Sequence, residues 1–284
     1  VIGPGLYLDM DSDSYFADPC DLPSLTQSGI PTLLDRSPMH FAYEHPRLNP
    51  YGWRETGDRA RWLGSAVHRL ALGRGREISV IRYRDYASAD ARRDRDEAVR
   101  NGRIPVLERD LTAARDMARI LRGQIEEACE GHAYVTEAVM IWKELTQYGE
   151  IWCRGMLDVW CPAMALALDP KALRISATPG AFGRAAADAG YDVQAVFYRR
   201  GLEKIFPELK GSVRFVNLVV ESAPPHGAQM FEPDPNTLYV AERQCAKAME
   251  LFARCLSRRE WPGYPHGVQT YSSPAYHQNK VINS

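Results

Sequence analysis

The stretch EIWCRGMLDVWCPAMALALDPKA, residues 150–172, decides how this chain folds. Glu150 to Trp160 and Met164 to Lys171 are short apolar runs of strand composition, and Cys161 and Pro162 turn the first into the second. A third run, Ala133 to Trp142, precedes them, with Gln147 to Gly149 as the turn between. The reading is therefore a three-strand meander. Helical periodicity appears on both sides of it. Leu63, Ala66, Val67, Leu70 and Ala71 recur at helical spacing within Asp58 to Gly73, and Asp110 to Glu130 is a long amphipathic helix. Downstream come helices at about 179–189 and 191–204, separated by Gly190. A strand at Val213 to Glu221, a shorter one at Ala228 to Glu232 and an amphipathic helix at Asn236 to Arg258 complete the pattern. This order predicts an α/β sandwich, a central mixed sheet flanked by helices.

The flanks are less regular. Residues 1–20 are rich in Asp, Gly and Pro. A first helix is expected after Ser24, with Pro31 breaking or delaying it. Residues 44–56 read as loop, and the polar stretch 87–101 as a solvated helix or an excursion. From Trp261 the chain is Pro- and Gly-rich. We expect one domain over residues 1–284, with a core at about 24–258 and irregular arms at 1–23 and 259–284. The chain begins at Val1 rather than Met, as a piece of a longer protein would.

Composition narrows the class. The 284 residues carry a formal net charge of −1, with 45% hydrophobic and 25% charged residues. These are the proportions of an ordinary globular protein. A nucleic-acid partner would need a local basic groove, because the molecule as a whole offers no attraction. No run of about 18 apolar residues could span a membrane, so no membrane partner is expected. The six cysteines, Cys20, Cys129, Cys153, Cys161, Cys245 and Cys255, form no C-x-x-C pair, and free thiols in a reducing cytoplasm are expected.

The chemistry gathers at the strand ends. Asp169 and Lys171 are two apart in a strand and therefore share a face. A carboxylate there can hold a divalent ion while the ammonium serves the attacking water or a phosphate. D-x-K alone recurs by chance. Asp158 strengthens it: a carboxylate among Met156, Leu157, Val159 and Trp160 is costly to desolvate without a partner. The turn at Cys161–Pro162 would set Asp158 beside Asp169, and paired carboxylates suit Mg²⁺ or Mn²⁺. His68 lies on the first strong helix, where a lone histidine is more often structural. Gly64 shares its face and would allow close backbone approach. Gln194 and Tyr198 share a helix face, and Arg199 and Arg200 follow them as candidate contacts to phosphates and sugars.

The combined order is more specific than any one motif. Gly64-x-x-x-His68, RGMLD ending at Asp158, Asp169-Pro170-Lys171 and Gln194-x-x-x-Tyr198 together resemble the RecB-type branch of the PD-(D/E)xK nucleases. More closely, they are similar to the phage and prophage exonuclease VIII (RecE) family. The stretches LTQSGIPTLLDRSPMHFAYEHP and GYDVQAVFYRRGL carry much of this likeness, which covers roughly residues 24–204.

The resemblance implies a restriction-endonuclease-like core and a metal-dependent DNA exonuclease. It implies Mg²⁺ or Mn²⁺ held by His68, Asp158, Asp169 and the backbone carbonyl of Pro170. Lys171 would serve the attacking water, and Gln194 and Tyr198 would hold the DNA strand. Glu137 resembles an acidic position of relatives. Action 5′ to 3′ from duplex ends, 5′-phosphate products, a ring-shaped homo-oligomer and a strand-annealing recombination partner are further implications. Two departures stand out, Pro170 and Ala172 where the family usually reads D-L-K-T. Proline keeps its carbonyl but needs an edge, a bulge or a ladder end. Alanine lacks a hydroxyl that could support the ligand set. The cysteines lack the clustering of iron–sulfur relatives, so no cluster is expected. The rival readings are a RecB-type single-strand nuclease or endonuclease and a weakly catalytic DNA-binding accessory protein.

Overall fold

The structure, a computed structural model, describes residues 2–49, 51 and 58–273. The elements run β1 (Gly5–Tyr7), α1 (Ser12–Phe16), β2 (Ser24–Leu25), α2 (Gly29–Pro31), α3 (Pro38–Glu44), α4 (Arg59–Leu72) and β3 (Ile78–Ile81). They continue through α5 (Ala89–Arg100), β4 (Ile104–Leu107), α6 (Glu108–Cys129), β5 (Val135–Thr146), β6 (Gly149–Cys161) and β7 (Leu166–Leu173). The chain then forms α7 (Pro179–Ala189), α8 (Tyr191–Ile205), β8 (Arg214–Glu221), β9 (Ala228–Phe231) and α9 (Pro235–Arg258). The main sheet has the order β1-β5-β6-β7-β8-β9, with β2 pairing off β6, and β3 and β4 form a separate parallel pair. The main sheet is mixed: β5–β6 and β6–β7 are antiparallel, and β7–β8 is parallel. This is the expected sandwich.

Local chemistry explains the helix ends. The Asp58 carboxylate accepts the Arg61 amide at 2.9 Å and starts α4, and Gly73 at φ +73° ends it. The polar stretch at 87–101 is a helix, α5, capped by Ser88. One expectation is corrected. The described part of the expected 1–23 arm, residues 2–23, is not irregular, because it holds β1 and α1, and Tyr15 and Cys20 pack against Val139, Ile141 and Trp152 of the sheet. The helix after Ser24 does start late, at Gly29, and the delay comes from Ser24 and Leu25 pairing with Trp152 and Cys153 of β6. Part of the 44–56 loop lies outside the described residues, as does the end of the C-terminal arm. The arm's described part shows no helix or strand, and Trp261 stacks on Phe41 at 5.6 Å.

Helices cover both faces. Val193, Val196 and Phe197 of α8 and Cys245, Met249 and Phe252 of α9 pack with Ala138, Met140, Trp142, Leu157, Ala167 and Phe215. Val67 of α4 and Met117, Leu121 and Ile125 of α6 pack on the other face with Val159, Cys161, Leu166, Leu168 and Leu218. Gly201 lets α8 lie close to the sheet, since a Cβ there would stand 2.9 Å from the Trp142 ring. Among the described residues, no helix is long and apolar enough to cross a membrane.

One irregularity prepares the site. Residues two apart in a strand share a face, yet Leu157 packs with α8 while Val159 packs with α4 and α6. The sidedness of β6 therefore reverses at Asp158. The neighbouring strand β5 changes with it at Glu137, whose φ is +53°. The pairs on either side, Thr136↔Val159 and Ala138↔Leu157, set Glu137 opposite Asp158, and this position is unpaired. The β6–β7 ladder also stops here, at Val159↔Leu168, so the next facing residues are Asp158 and Asp169. The sheet forks at that point.

Candidate active site

Four adjacent strands each contribute one polar residue to a single lateral row: Glu137 on β5, Asp158 on β6, Asp169 on β7 and Asn217 on β8. Asp169 and Asn217 are direct partners in the parallel ladder. His68 reaches the row from α4. Its Nε2 is 3.0 Å from Asp158 Oδ1, and its Nδ1 is 3.8 Å from Glu137 Oε1. From the opposite layer, Gln194 Nε2 of α8 donates to Asp169 Oδ1 at 2.8 Å. Lys171 Nζ lies 2.6 Å from Asp169 Oδ2, which also accepts from Asn217 Nδ2 at 3.1 Å. The fork therefore lets groups from both helical layers meet at one point.

The electrostatics follow from crowding. Burial pushes the Asp169 carboxyl up; Lys171 opposes this, and the neighbouring Asp158 adds to it. Burial is the largest influence on Asp158 too, but His68, Lys171 and a hydrogen bond with Asp169 together oppose it and the carboxyl is held low. Burial works against the charged forms of His68 and Lys171. The surrounding carboxylates prevail, and both groups are raised. Glu137 is raised by its burial.

Pro170 lies two residues past the last β6–β7 pair and faces Leu218 in the parallel ladder. The ladder end is one of the places a strand proline can occupy. The donor set suits a hard divalent cation: two carboxylates and an imidazole at the middle of one partly buried row, with Glu137 nearby. In the geometry described, these side chains pair with each other. Among the described residues, no group of three or more His, Cys, Asp or Glu side chains stands in ligand arrangement for a metal.

Not every expected residue reaches the row. Tyr198 is 5% exposed and packs where Gly155 leaves room; a Cβ on that glycine would be 2.7 Å from the Tyr198 ring. It is a core residue facing the sheet and is closed to a DNA strand. Arg199 and Arg200 lie on the other side of α8. Arg200 is bonded to Glu144 at 3.0 Å and to Glu242, and Arg199 lines a groove with Pro235, Leu238 and Tyr239 of α9. Both point away from the row because the apolar face of α8 must meet the sheet. Gly64 has open space around it and mediates no close approach.

Two residues that the sequence reading left without a role belong here. Asn217 is the lone polar residue inside FVNLVV, residues 215–220. A buried amide needs a partner, and that was the available signal. Tyr191 starts α8, and its ring centroid is 4.8 Å from Lys171 Nζ. Only the contact itself identifies it.

A forked mixed sheet with D-x-K beside a second aspartate, flanked by helices, is the arrangement of a PD-(D/E)xK-type domain. The chain belongs to the family DUF3799, described as a PDDEXK-like domain of unknown function, which matches residues 51–274. Among solved structures it resembles the crystal structure of a "putative exonuclease" from Eubacterium rectale. That likeness has a TM-score of 0.60 and 13% identity, over 93% of this chain and 96% of that one. At such identity it shows the fold alone. The crystal structure of SSO0001 aligns over 69% of this chain and 87% of its own, with 13% identity and a TM-score of 0.30, too low to carry weight. No curated protein matches the chain.

Proposed function

We propose that this chain is a divalent-metal-dependent deoxyribonuclease that hydrolyses phosphodiester bonds, acting as an exonuclease on duplex ends. One observation carries the reading: His68, Asp158, Asp169 and Lys171 come from α4, β6 and β7 to the middle of one partly buried row. Held by His68, Asp158, Asp169 and the Pro170 carbonyl, Mg²⁺ or Mn²⁺ would lower the pKa of a bound water and take up phosphate charge.

The chain's own residues supply the rest. Lys171 keeps an ammonium at the mouth of the fork, where it donates to the attacking water or to a non-bridging phosphate oxygen. Gln194 and Asn217 donate to the two oxygens of Asp169 and fix the carboxylate plane. Exonuclease action rests on the designation of the Eubacterium rectale protein and on the resemblance to exonuclease VIII. The 5′ to 3′ direction, a ring-shaped homo-oligomer and a strand-annealing partner belong to the same proposal.

The test is cleavage of linear and closed circular duplex with Mg²⁺ or Mn²⁺. Linear DNA should shorten from its ends to 5′-phosphate products while circles survive. Nicked circles would make the protein an endonuclease. DNA retarded but intact with both ions would make it a binding protein. Asp169→Ala and Lys171→Ala should each lower cleavage by about 10²-fold or more, with the fold retained by circular dichroism.

A further inference from the structure

Lysine carries its charge on a flexible four-carbon stem, so one contact does not define where the ammonium stands. Lys171 has two. Asp169 Oδ2 lies 2.6 Å away, and the face of the Tyr191 ring lies with its centroid 4.8 Å from Nζ. An ammonium over an aromatic face is attracted by the ring quadrupole, more strongly when both are withdrawn from water. Tyr191 is itself held. Its ring stacks on Phe182 at 6.2 Å with 20° between planes, and Phe182 stacks on Phe231 at 4.5 Å with 18°. Three nearly parallel rings from α8, α7 and β9 thus end on the ammonium.

The helix makes this a paired device. Tyr191 and Gln194 are three residues apart on α8, so they share a face one turn apart. Gln194 holds Asp169 at 2.8 Å, while Tyr191 holds Lys171. A single helical turn therefore places both members of the D-x-K pair. Gly190, at φ +70°, ends α7 and starts α8, which puts Tyr191 at the first position.

We propose that Tyr191 is a positioning residue for Lys171, acting through its ring face and not its hydroxyl. The catalytic part of this proposal rests on the nuclease reading above, whereas the placement of the ammonium does not.

The first measurement is of placement, in metal-free protein with ¹³C-labelled lysine. The Lys171 side-chain ε-methylene protons, assigned by Lys171→Arg, should resonate upfield through the ring current. Tyr191→Leu should return them to the ordinary lysine position, and Tyr191→Phe should keep them upfield. An ordinary position in the unmutated protein overturns the proposal, and that reading needs no variant to fold. The second measurement is single-turnover cleavage of linear duplex. Tyr191→Leu should lower the rate constant about tenfold with half-saturation unchanged, and Tyr191→Phe should stay within about twofold. A fall in Tyr191→Phe equal to that in Tyr191→Leu, or no fall in either, overturns the proposal. An unmutated protein that cleaves nothing overturns the nuclease reading instead, and the resonance positions still decide on Tyr191.

Discussion

Asn217 and Asp169 are direct partners in the parallel β7–β8 ladder, and the Asn217 amide donates to Asp169 Oδ2 at 3.1 Å. The bond joins the D-x-K strand to its neighbour through side chains as well as backbone. It also leaves Asp169 with donors on both oxygens, since Gln194 takes the other. A carboxylate so held presents one orientation to anything that enters the fork.

Asn217→Leu should remove that donor without opening a large cavity. Two donors remain on Asp169, so the chain should fold, with a loss of about 1–3 kcal/mol in urea unfolding. Cleavage of linear duplex should fall more than stability predicts, with half-saturation little changed. Unaltered cleavage would show that Lys171 and Gln194 suffice to orient Asp169.

Divalent ions should stabilise the fold, because the ligand set assembles only in the native state. With free Mn²⁺ at about a hundredfold excess over its Kd, stability should rise by about 2.7 kcal/mol. Calorimetry should record a higher Tm that chelator reverses. Asp158→Asn, which removes a charge from the proposed ligand set, should abolish most of the rise. The same rise in that variant would place the ion elsewhere.

Arg200 should matter to stability and not to DNA. It is bonded to the buried Glu144, whose other partners among the described residues are Lys204 at 3.7 Å and Trp142 Nε1 at 3.2 Å. Arg200→Met should cost about 3 kcal/mol, the usual consequence of stranding a buried charge. DNA affinity by fluorescence anisotropy should be unchanged. Weaker binding at intact stability would return Arg200 to the DNA interface.

A pH effect should arise outside the row, at His45. Burial pushes its imidazole down to about 4, against the pull of Asp18 Oδ2 at 3.4 Å, a carboxylate that Arg154 and Ser24 also contact. In the unfolded chain the same group titrates near 6.5. Between those values the unfolded state holds the extra proton. The stability due to neutral His45 is therefore full above about 6.5 and is lost as pH falls toward 4. The loss should be on the order of 3 kcal/mol across the window. Urea midpoints at several pH values should show it, and His45→Gln should flatten the slope relative to the unmutated protein.

Much of this was readable from local pattern. The meander of β5, β6 and β7, the helices α4, α6, α8 and α9, and the D-x-K pair all carry their signal within one or two turns or within alternating residues. The short strands β1 to β4 escaped because two to four residues are too few to establish a period, and Ile104–Leu107 also contains Pro105. Arg199 and Arg200 were misplaced for another reason. The apolar residues of α8 mark the side that meets the sheet, but nothing local tells which of its polar edges lies beside the strand ends and which beside α9.

The chain alone determined the α/β order and the residue types at the strand ends, because helix and strand periods are set by neighbours along the backbone. The tertiary structure decided the rest: the reversal of sidedness at Glu137 and Asp158, the row that ends at Asn217, and the turn of α8 that holds Asp169 and Lys171. Those depend on register between strands distant in sequence. A shift of one residue would exchange the two faces and separate every pair in the site.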